Sequence, residues 1–244
     1  MNRLRQIYGI TCMNLIPFIR NPLWSVAVLV TPISMLIIFY IYGGANMGVH
    51  ALIGGLVAFS MNGGIVSLPQ YTVRDKAIKF NYLYVSSPIS PAIYHVGAAI
   101  GTSFPLIPPT ILMLIITELV VKTSLYGFIA LLGVIGLTWI VGCLIGFYIS
   151  AAFKDMMYIS AVANTLGMVL YMLPPVYYPV TALSPFYKPF LLLIPSCASA
   201  HLMRGATGIL DVPINDMIFS ILVLASYIII FGLVTVKKIV WVEK

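Results

Sequence analysis

Charged side chains are scarce in this sequence. Of its 244 residues, 13 are Lys or Arg and 6 are Asp or Glu, so that 8% are charged whereas 61% are hydrophobic. About a quarter of the residues of an ordinary soluble protein are charged, and the mean hydropathy here is +1.06. This shortage of charge excludes a conventional soluble domain and indicates a protein embedded in a membrane.

Residues that build disulfides, metal centres and catalytic sites are also few. The cysteines lie far apart, in or beside apolar segments, at Cys12, Cys143 and Cys197. The histidines stand in separate regions without a carboxylate at ligand spacing, at His50, His95 and His201. Neither a disulfide framework nor a metal site is indicated. Because phosphate-binding loops, zinc-protease helices and hydrolase nucleophile motifs are also missing, we assign no catalytic, cofactor-binding or metal-binding residues and expect a non-enzymatic chain.

Long windows without charge make up most of the sequence. A helix needs about 20 mainly apolar residues to cross the hydrocarbon core of a bilayer. A polar, glycine-rich break at 43–46 divides the first window into two. The pattern predicts an all-α, polytopic fold, a single transmembrane domain over 1–244 with six transmembrane helices at 24–42, 47–69, 92–117, 125–152, 156–174 and 217–236. Two pairs of glycines at four-residue spacing, Gly97 with Gly101 and Gly142 with Gly146, are expected at close helix contacts.

The basic residues predict the orientation. If six helices cross the membrane, all but three of the 13 Lys and Arg residues lie on the side of the termini. The three on the opposite side are Lys122, Lys188 and Arg204. Since cationic loops stay in the cytoplasm, both termini are expected there, in a multi-pass protein of the plasma membrane. Attraction to anionic membrane lipid also explains the formal net charge of +7 without a nucleic-acid partner.

The first 22 residues predict a helix on the membrane surface. Apolar side chains recur at steps of three and four, at Leu4, Ile7, Tyr8, Thr11, Leu15 and Phe18, whereas Gln6 and Arg20 fall on the opposite face. Pro17 and Arg20 interrupt the apolar stretch, which is unlike a cleaved signal peptide. We therefore expect an interfacial helix over 1–22, with a frayed leader as the alternative.

Two connections are longer than crossing the membrane requires. The first, on the cytoplasmic side, predicts an amphipathic helix over 72–86 that offers apolar side chains to a soluble partner or rests them on the bilayer. The second, over 175–212 on the outer side, is apolar but broken by Pro185, Pro189 and Pro195. It predicts re-entrant half-helices that form an external lid before the last transmembrane helix.

In the order of these parts, the chain resembles the membrane subunit of a type 2 ABC transporter. This export family includes daunorubicin-type drug efflux permeases and exporters of polysaccharides and teichoic acids. The similarity covers nearly the whole chain and rests on the sequences Val85-Ser86-Ser87-Pro88-Ile89-Ser90 and Tyr177-Tyr178-Pro179 in addition to the order of helices. The chain departs from the family at Arg74-Asp75-Lys76-Ala77, where relatives often have an acid-x-acid-Gly sequence. The short loop at 43–50 argues against a large external domain.

The resemblance implies a mechanism and a set of partners. Two copies of the chain, or one copy and a paralogous permease, would pair, and each would bind a separate ABC ATP-binding subunit that carries ATP and Mg²⁺. The coupling helix over 72–86 would contact that subunit through Arg74, Asp75, Lys76, Lys79, Phe80 and Leu83. Closure of the ATPase pair would then switch a central cavity from inward-facing to outward-facing.

The path residues are chosen from the helices that bound the path in relatives. They are Phe59, Asn62, Asn164, Met168 and Tyr171, of which the last three share one helix face. Packing against a neighbouring helix is the alternative for each. Tyr177 and Tyr178 would narrow the outer exit as a gate, or serve as interfacial anchors. The expected cargo is amphipathic or hydrophobic: a drug, a lipid or a lipid-linked glycan.

Other function classes stay open from the sequence. An ATP-independent secondary transporter would normally have repeated halves or several buried ionisable groups, and neither is evident. An intramembrane enzyme would need a polar constellation that the scattered Ser, His and Asn residues do not identify. A structural assembly factor is a third alternative.

Overall fold

Helices are the only regular secondary structure in the described part of the chain. The computed structural model describes residues 3–21, 23–80, 83–84, 86–87 and 89–238. No strand occurs within these ranges, which confirms the predicted all-α class. The α-helices are α1 (Arg3–Arg20), α2 (Leu23–Asn62), α3 (Leu68–Ala77), α4 (Pro91–Ser103), α5 (Ile107–Val121), α6 (Leu125–Ala152), α7 (Met156–Tyr171), α8 (Lys188–Leu192), α9 (Pro195–Thr207) and α10 (Ile214–Lys238).

Among the described residues, four helical segments are long and apolar enough to cross a membrane. They are Pro32–Ala77, Pro91–Val121, Leu125–Ala152 and Ile214–Thr235. The apolar helix α7 has 16 residues, which corresponds to about 24 Å and is shorter than the hydrocarbon core. These helices are those of a membrane-embedded protein. The number of six transmembrane helices and the cytoplasmic location of the termini stay predictions.

The helix α2 is a hairpin whose turn lies at Gly44. Gly44 has φ 68° and ψ −166°, a conformation that side chains with a Cβ atom rarely adopt. Gly48 lies against Tyr40, and Gly55 lies against Pro32. The later glycine in the chain thus contacts the earlier residue of the first arm. The two arms, 23–43 and 45–62, therefore run antiparallel. The turn occupies the break that the sequence predicts between its first two transmembrane helices.

The second arm of α2 is the centre of the fold. Its residues 51–61 are all buried, and a π-helical turn, Gly63–Ser67, links it to α3. A Cβ atom on Gly64 would stand 2.2 Å from the backbone nitrogen of Cys143, and one on Gly146 would stand 2.0 Å from the carbonyl oxygen of Gly64. These glycines let α6 touch the π-helical turn backbone to backbone, which confirms the close contact predicted for Gly142 and Gly146.

The face of α1 that packs on α4 overlaps only partly with the one that the sequence favours, since Thr11 and Phe18 belong to both. Gln6, Ile10, Asn14 and Phe18 are buried, and Gly97 and Gly101 of α4 provide the close contact expected of them by meeting Ile10 and Asn14. The predicted apolar stripe is partly exposed, at Leu4 and Tyr8. Polar Asn14 tolerates burial because its Nδ2 donates to the carbonyl of Ile10, at 3.0 Å. Residues 1, 2 and 22 of the predicted interfacial helix lie outside the described residues.

The predicted helix over 72–86 is not continuous. The helix α3 ends at Ala77, and Lys79 adopts a left-handed conformation with φ 59°. A left-handed residue cannot continue a right-handed helix, so residues 78–80 form a turn that brings the Phe80 N–H to the Asp75 carbonyl, at 2.8 Å. Residues 81, 82 and 85 of this segment, and Val85 and Pro88 of the Val85–Ser90 sequence, lie outside the described residues.

The segment before α10 folds as two helices, α8 and α9. Thr138, about halfway along α6, donates from its Oγ1 to Ser199 Oγ at 2.8 Å. Gly127, near the start of α6, lies against the carbonyl of Ala206. The helix α9 therefore runs antiparallel to α6 along its first half, and residues 195–204 are buried. Re-entry of this segment into a membrane stays a prediction.

Candidate functional site

The five residues predicted to line a path surround a single cavity. This inner cavity of about 290 Å³ lies between the two arms of α2 and the helix α7. Its wall consists of Pro32, Ala58, Phe59, Asn62, Asn164, Met168, Tyr171 and Met172. None of these residues is charged. The inner cavity therefore offers an apolar surface with a few hydrogen-bonding groups, which is the usual composition of a small-molecule site.

The polar groups of the inner cavity are partly held by one another. Asn62 Nδ2 donates to Tyr171 Oη at 2.9 Å and so joins α2 to α7. Asn164 Nδ2 donates to the carbonyl of Ser160, one turn earlier in α7, at 2.8 Å. These bonds fix the amide groups, so that each side-chain carbonyl oxygen is the group left to accept a bond from a ligand.

A second, more polar cavity adjoins the inner cavity at Asn62 and Asn164. This polar cavity has a volume of about 410 Å³ and is lined by Asn62, Val66, Ser67, Gln70, Tyr71, Arg74, Met156 and Asn164. The Arg74 guanidinium lies 4.3 Å from the centroid of the Tyr71 ring, a cation–π contact. The two cavities together form a groove that becomes more polar from Phe59 towards Arg74 and ends beside the only cation on its wall.

An aromatic layer formed by Phe39, Tyr177 and Tyr178 lies beyond the inner cavity, towards the Gly44 turn. The rings of Phe39 and Tyr177 stack with centroids 6.1 Å apart, and Tyr178 lies 6.2 Å from Phe39 on a tilted plane. Tyr177 is buried against Gly54, where burial raises the pKa of its hydroxyl. The predicted gate residues thus differ in position, because Tyr177 lies inside the fold and Tyr178 is half-buried.

Asp75 joins α3 to α4. Its carboxylate accepts from Arg74 Nη2 at 2.9 Å and from Tyr94 Oη at 3.0 Å. The carboxylate is buried, and the Tyr84 ring packs on Tyr94 with centroids 4.7 Å apart. Burial, helped by the nearby Asp75 carboxylate, raises the pKa of Tyr84 to about 12. Asp75 is therefore an internal tie, although the sequence places it at a partner contact.

The predicted coupling residues divide into exposed and internal groups. Lys79 is exposed, and so are Leu83 at 60% and its unpredicted neighbour Ile78 at 59%. The Phe80 ring instead packs on Tyr84, with centroids 5.9 Å apart, and Lys76 Nζ donates to the carbonyl of Ser150 at 3.3 Å. Within the described part of 72–86, the exposed residues Ile78, Lys79 and Leu83 lie on one turn, which we call the docking turn.

The buried Arg204 is not among the site residues that the sequence predicts. Its side chain is fully buried in α9, and Nη2 donates to the carbonyl of Val176. Burial lowers the pKa of the guanidinium to about 10, and within the described residues Nε and Nη1 have no hydrogen-bond partner. His201, one turn away, has its Nε2 3.9 Å from the Asp216 carboxylate. The available signal was a lone Arg in an otherwise apolar, proline-broken segment.

In the part of the chain that the structure describes, no three His, Cys, Asp or Glu side chains cluster as a metal site would require. A scan against models of protein families finds no match to this chain. A search among curated proteins finds no significant match either. The groove, its aromatic layer and the docking turn are therefore the features from which a function is inferred.

Proposed function

We propose that the chain is the membrane subunit of an ATP-driven exporter of the type 2 ABC class. The groove between α2, α3 and α7 carries this proposal, because it joins an uncharged inner cavity to a polar cavity that reaches Arg74. Such a gradient suits an amphipathic molecule. The apolar part would lie against Phe59 and Met168, and the polar part would accept or donate hydrogen bonds near Asn164 and Arg74.

The geometry also supports alternating access. In this proposal the aromatic layer closes the groove towards the Gly44 turn, whereas the polar cavity reaches Arg74, one turn before the docking turn. With the termini in the cytoplasm, this arrangement corresponds to an inward-facing state. A transport cycle would open the aromatic layer and close the Arg74 end, driven by the different affinity of the partner ATPase for the two states.

The Asp75 tie supports a route for the force. A partner that pushes on Ile78 and Leu83 acts at the end of α3, which continues from the helix that lines the groove. Asp75 bonds to Tyr94 of α4, so movement of the turn would shift α3 and α4 together. The chain itself would hold no nucleotide, since ATP and Mg²⁺ belong to the separate ATP-binding subunit. A second copy, or a paralogous permease, would complete the transporter.

Co-purification with the partner tests this proposal. We expect a soluble protein with a phosphate-binding loop to purify with the chain from its native membrane in mild detergent, and the complex to hydrolyse ATP. Changing both Ile78 and Leu83 to Asp should release that protein, because charge replaces the apolar docking contact. Phe80 is a poorer target than the sequence suggests, since its ring packs inside the turn.

The control is Leu125→Asp, which places the same charge at an exposed leucine on the predicted outer side. Leu125 is 72% exposed, comparable with the two docking-turn residues, and its change should leave the partner bound. A well-folded chain that purifies without an ATPase would contradict the proposal and favour an ATP-independent transporter. Equal release by the Leu125 variant would contradict the docking turn.

A further inference from the structure

A second apolar cavity lies on the other side of Phe59 from the Asn62–Tyr171 bond. This lateral crevice of about 310 Å³ lies between the second arm of α2, the junction of α4 and α5, and α6. Its wall includes Phe59, Ile100, Phe104, Ile111, Gly136 and Trp139. Ile100, Phe104 and Ile111 are partly exposed at its mouth. The mouth therefore opens sideways, within two segments that are apolar enough to cross a membrane.

Two local features build this lateral crevice. The helix α4 gives way to a 3₁₀ turn, Phe104–Leu106, before α5 begins, because Pro105 has no N–H with which to continue the α-helical ladder. The opposite wall lacks a side chain at Gly136, where an added Cβ atom would have no neighbour within 4 Å. The gap therefore follows from a proline and a glycine in the sequence.

The side-chain polar groups on the wall are already hydrogen-bonded inside the protein. Trp139 Nε1 donates to Ser103 Oγ at 2.7 Å. Ser60 Oγ and Thr110 Oγ1 each donate to the carbonyl four residues earlier, both at 2.7 Å. The lining contains no charged residue. An occupant gains nothing here from a polar or charged group, and apolar cavities of this kind stay dry and take apolar ligands.

We propose that the lateral crevice binds one hydrocarbon chain of a membrane lipid. Its volume would hold about ten groups of the size of a water molecule or a methylene, which is most of one acyl chain. Its mouth lies between membrane-spanning segments, where the bilayer supplies such chains. The binding does not depend on transport. Because Phe59 lines both the crevice and the inner cavity, the bound chain lies one side chain away from the groove.

The fluorescence of Trp139 tests this proposal. The full chain with Trp24→Phe and Trp241→Phe keeps Trp139 as its only tryptophan. It is reconstituted into phosphatidylcholine vesicles that contain increasing fractions of phosphatidylcholine with brominated acyl chains, since bromine quenches tryptophan on contact. We expect strong quenching that rises in proportion to the brominated fraction, as for a single chain site. Contact with several bulk chains would instead give a steeper, curved dependence.

Two glycine variants separate the crevice from the outer surface. Gly136→Leu fills the gap and should reduce the quenching at least twofold, whereas Gly133→Leu adds the same side chain one turn away, where a Cβ also has open space and the crevice is not lined. Gly136→Ala should have an intermediate effect and serves if the leucine variant does not fold. Equal quenching in the two leucine variants would overturn the proposal. So would the absence of quenching in the starting protein, the result expected if a second copy covers the mouth.

Discussion

At the scale of single residues, Asp75 is the clearest case of a charge with an internal role. Its carboxylate is buried between Arg74 and Tyr94 and accepts one bond from each. We expect Asp75→Asn to lower the free energy of unfolding by about 2 kcal/mol, because both charge-assisted bonds become neutral acceptor bonds or are lost. The thermal midpoint of the purified chain in detergent measures this.

The matched control for Asp75 is Asp155, an exposed carboxylate that caps α7. Asp155 Oδ1 accepts from the backbone N–H of Met157 at 2.7 Å. Since Asn is as good a cap as Asp, Asp155→Asn should change the stability by only about 0.5 kcal/mol. An Asp75 variant as stable as the control would show that the buried bonds do not hold α3 to α4.

His201 makes stability depend on pH. Burial lowers the pKa of its ring, Lys188 and Arg204 act in the same direction, and Asp216 opposes them. The unfolded chain then binds a proton that the folded chain does not, so stability falls as the pH drops below about 6.5. We expect a loss of up to about 1.4 kcal/mol per pH unit, until the folded ring is protonated.

The test compares the thermal midpoints of the parent and His201→Asn between about pH 7 and about pH 5. Asn keeps a polar group of similar reach but does not titrate, so the variant should lose less stability on acidification. The same dependence on pH in both proteins would contradict the assignment of this titration to His201.

At the scale of helices, the glycine contacts decide the packing. An added methyl group at Gly64 would meet the backbone of Gly142 and Cys143, which cannot move aside as a side chain does. We expect Gly64→Ala to cost about 3 kcal/mol. Gly133→Ala, in the open part of α6, should instead raise stability by about 0.5 kcal/mol through better helix propensity. Similar midpoints for the two variants would contradict the backbone contact between the π-helical turn and α6.

The helices also show where sequence patterns succeed and where they fail. Charge-free windows and the Gly44 break predict the positions of the apolar helices, because burial in lipid constrains composition over a whole window. They predict the buried face of α1 only in part, since polar Gln6 and Asn14 are buried whereas Leu4 and Tyr8 of the apolar stripe are exposed. The end of α3 at Ala77 is equally hidden, because Lys79 takes a left-handed helix-end position that glycine usually fills, and the Phe80 N–H bonds to the Asp75 carbonyl there.

At the scale of the whole molecule, part of the groove could be predicted and part could not. Asn164, Met168 and Tyr171 share a face through their spacing on α7, and the structure places Phe59 and Asn62 opposite them. Arg74 was predicted at a partner contact, yet it lines the polar cavity. The role of Arg204 was not predicted, because a sequence does not reveal which loop carbonyl will accept a hydrogen bond from a buried guanidinium. In the structure it is the carbonyl of Val176.

The proposed inward-facing state makes the accessibility of Asn164 one-sided. Asn164 lies where the two cavities meet, so a reagent that enters past Arg74 would reach it, whereas a closed aromatic layer would block the route from the Gly44 side. With Cys12, Cys143 and Cys197 replaced, we expect Asn164→Cys to react with a membrane-impermeant thiol reagent added to the cytoplasmic side. It should not react from the outer side in the absence of ATP.

Removing the ring of Tyr177 should open the outer route. Tyr177 stacks on Phe39 and fills the space beside Gly54, so adding Tyr177→Ala to Asn164→Cys should make the thiol reactive from outside. Phe186→Ala, at an exposed aromatic residue of the same, predicted outer segment, should leave that face closed. The layer and the polar cavity lie at opposite ends of one groove. If Asn164→Cys with Tyr177 intact reacted with the thiol reagent from the outside, both the closed layer and the inward-facing state would be contradicted. Unchanged labelling in the Tyr177 variant would assign the barrier to other residues.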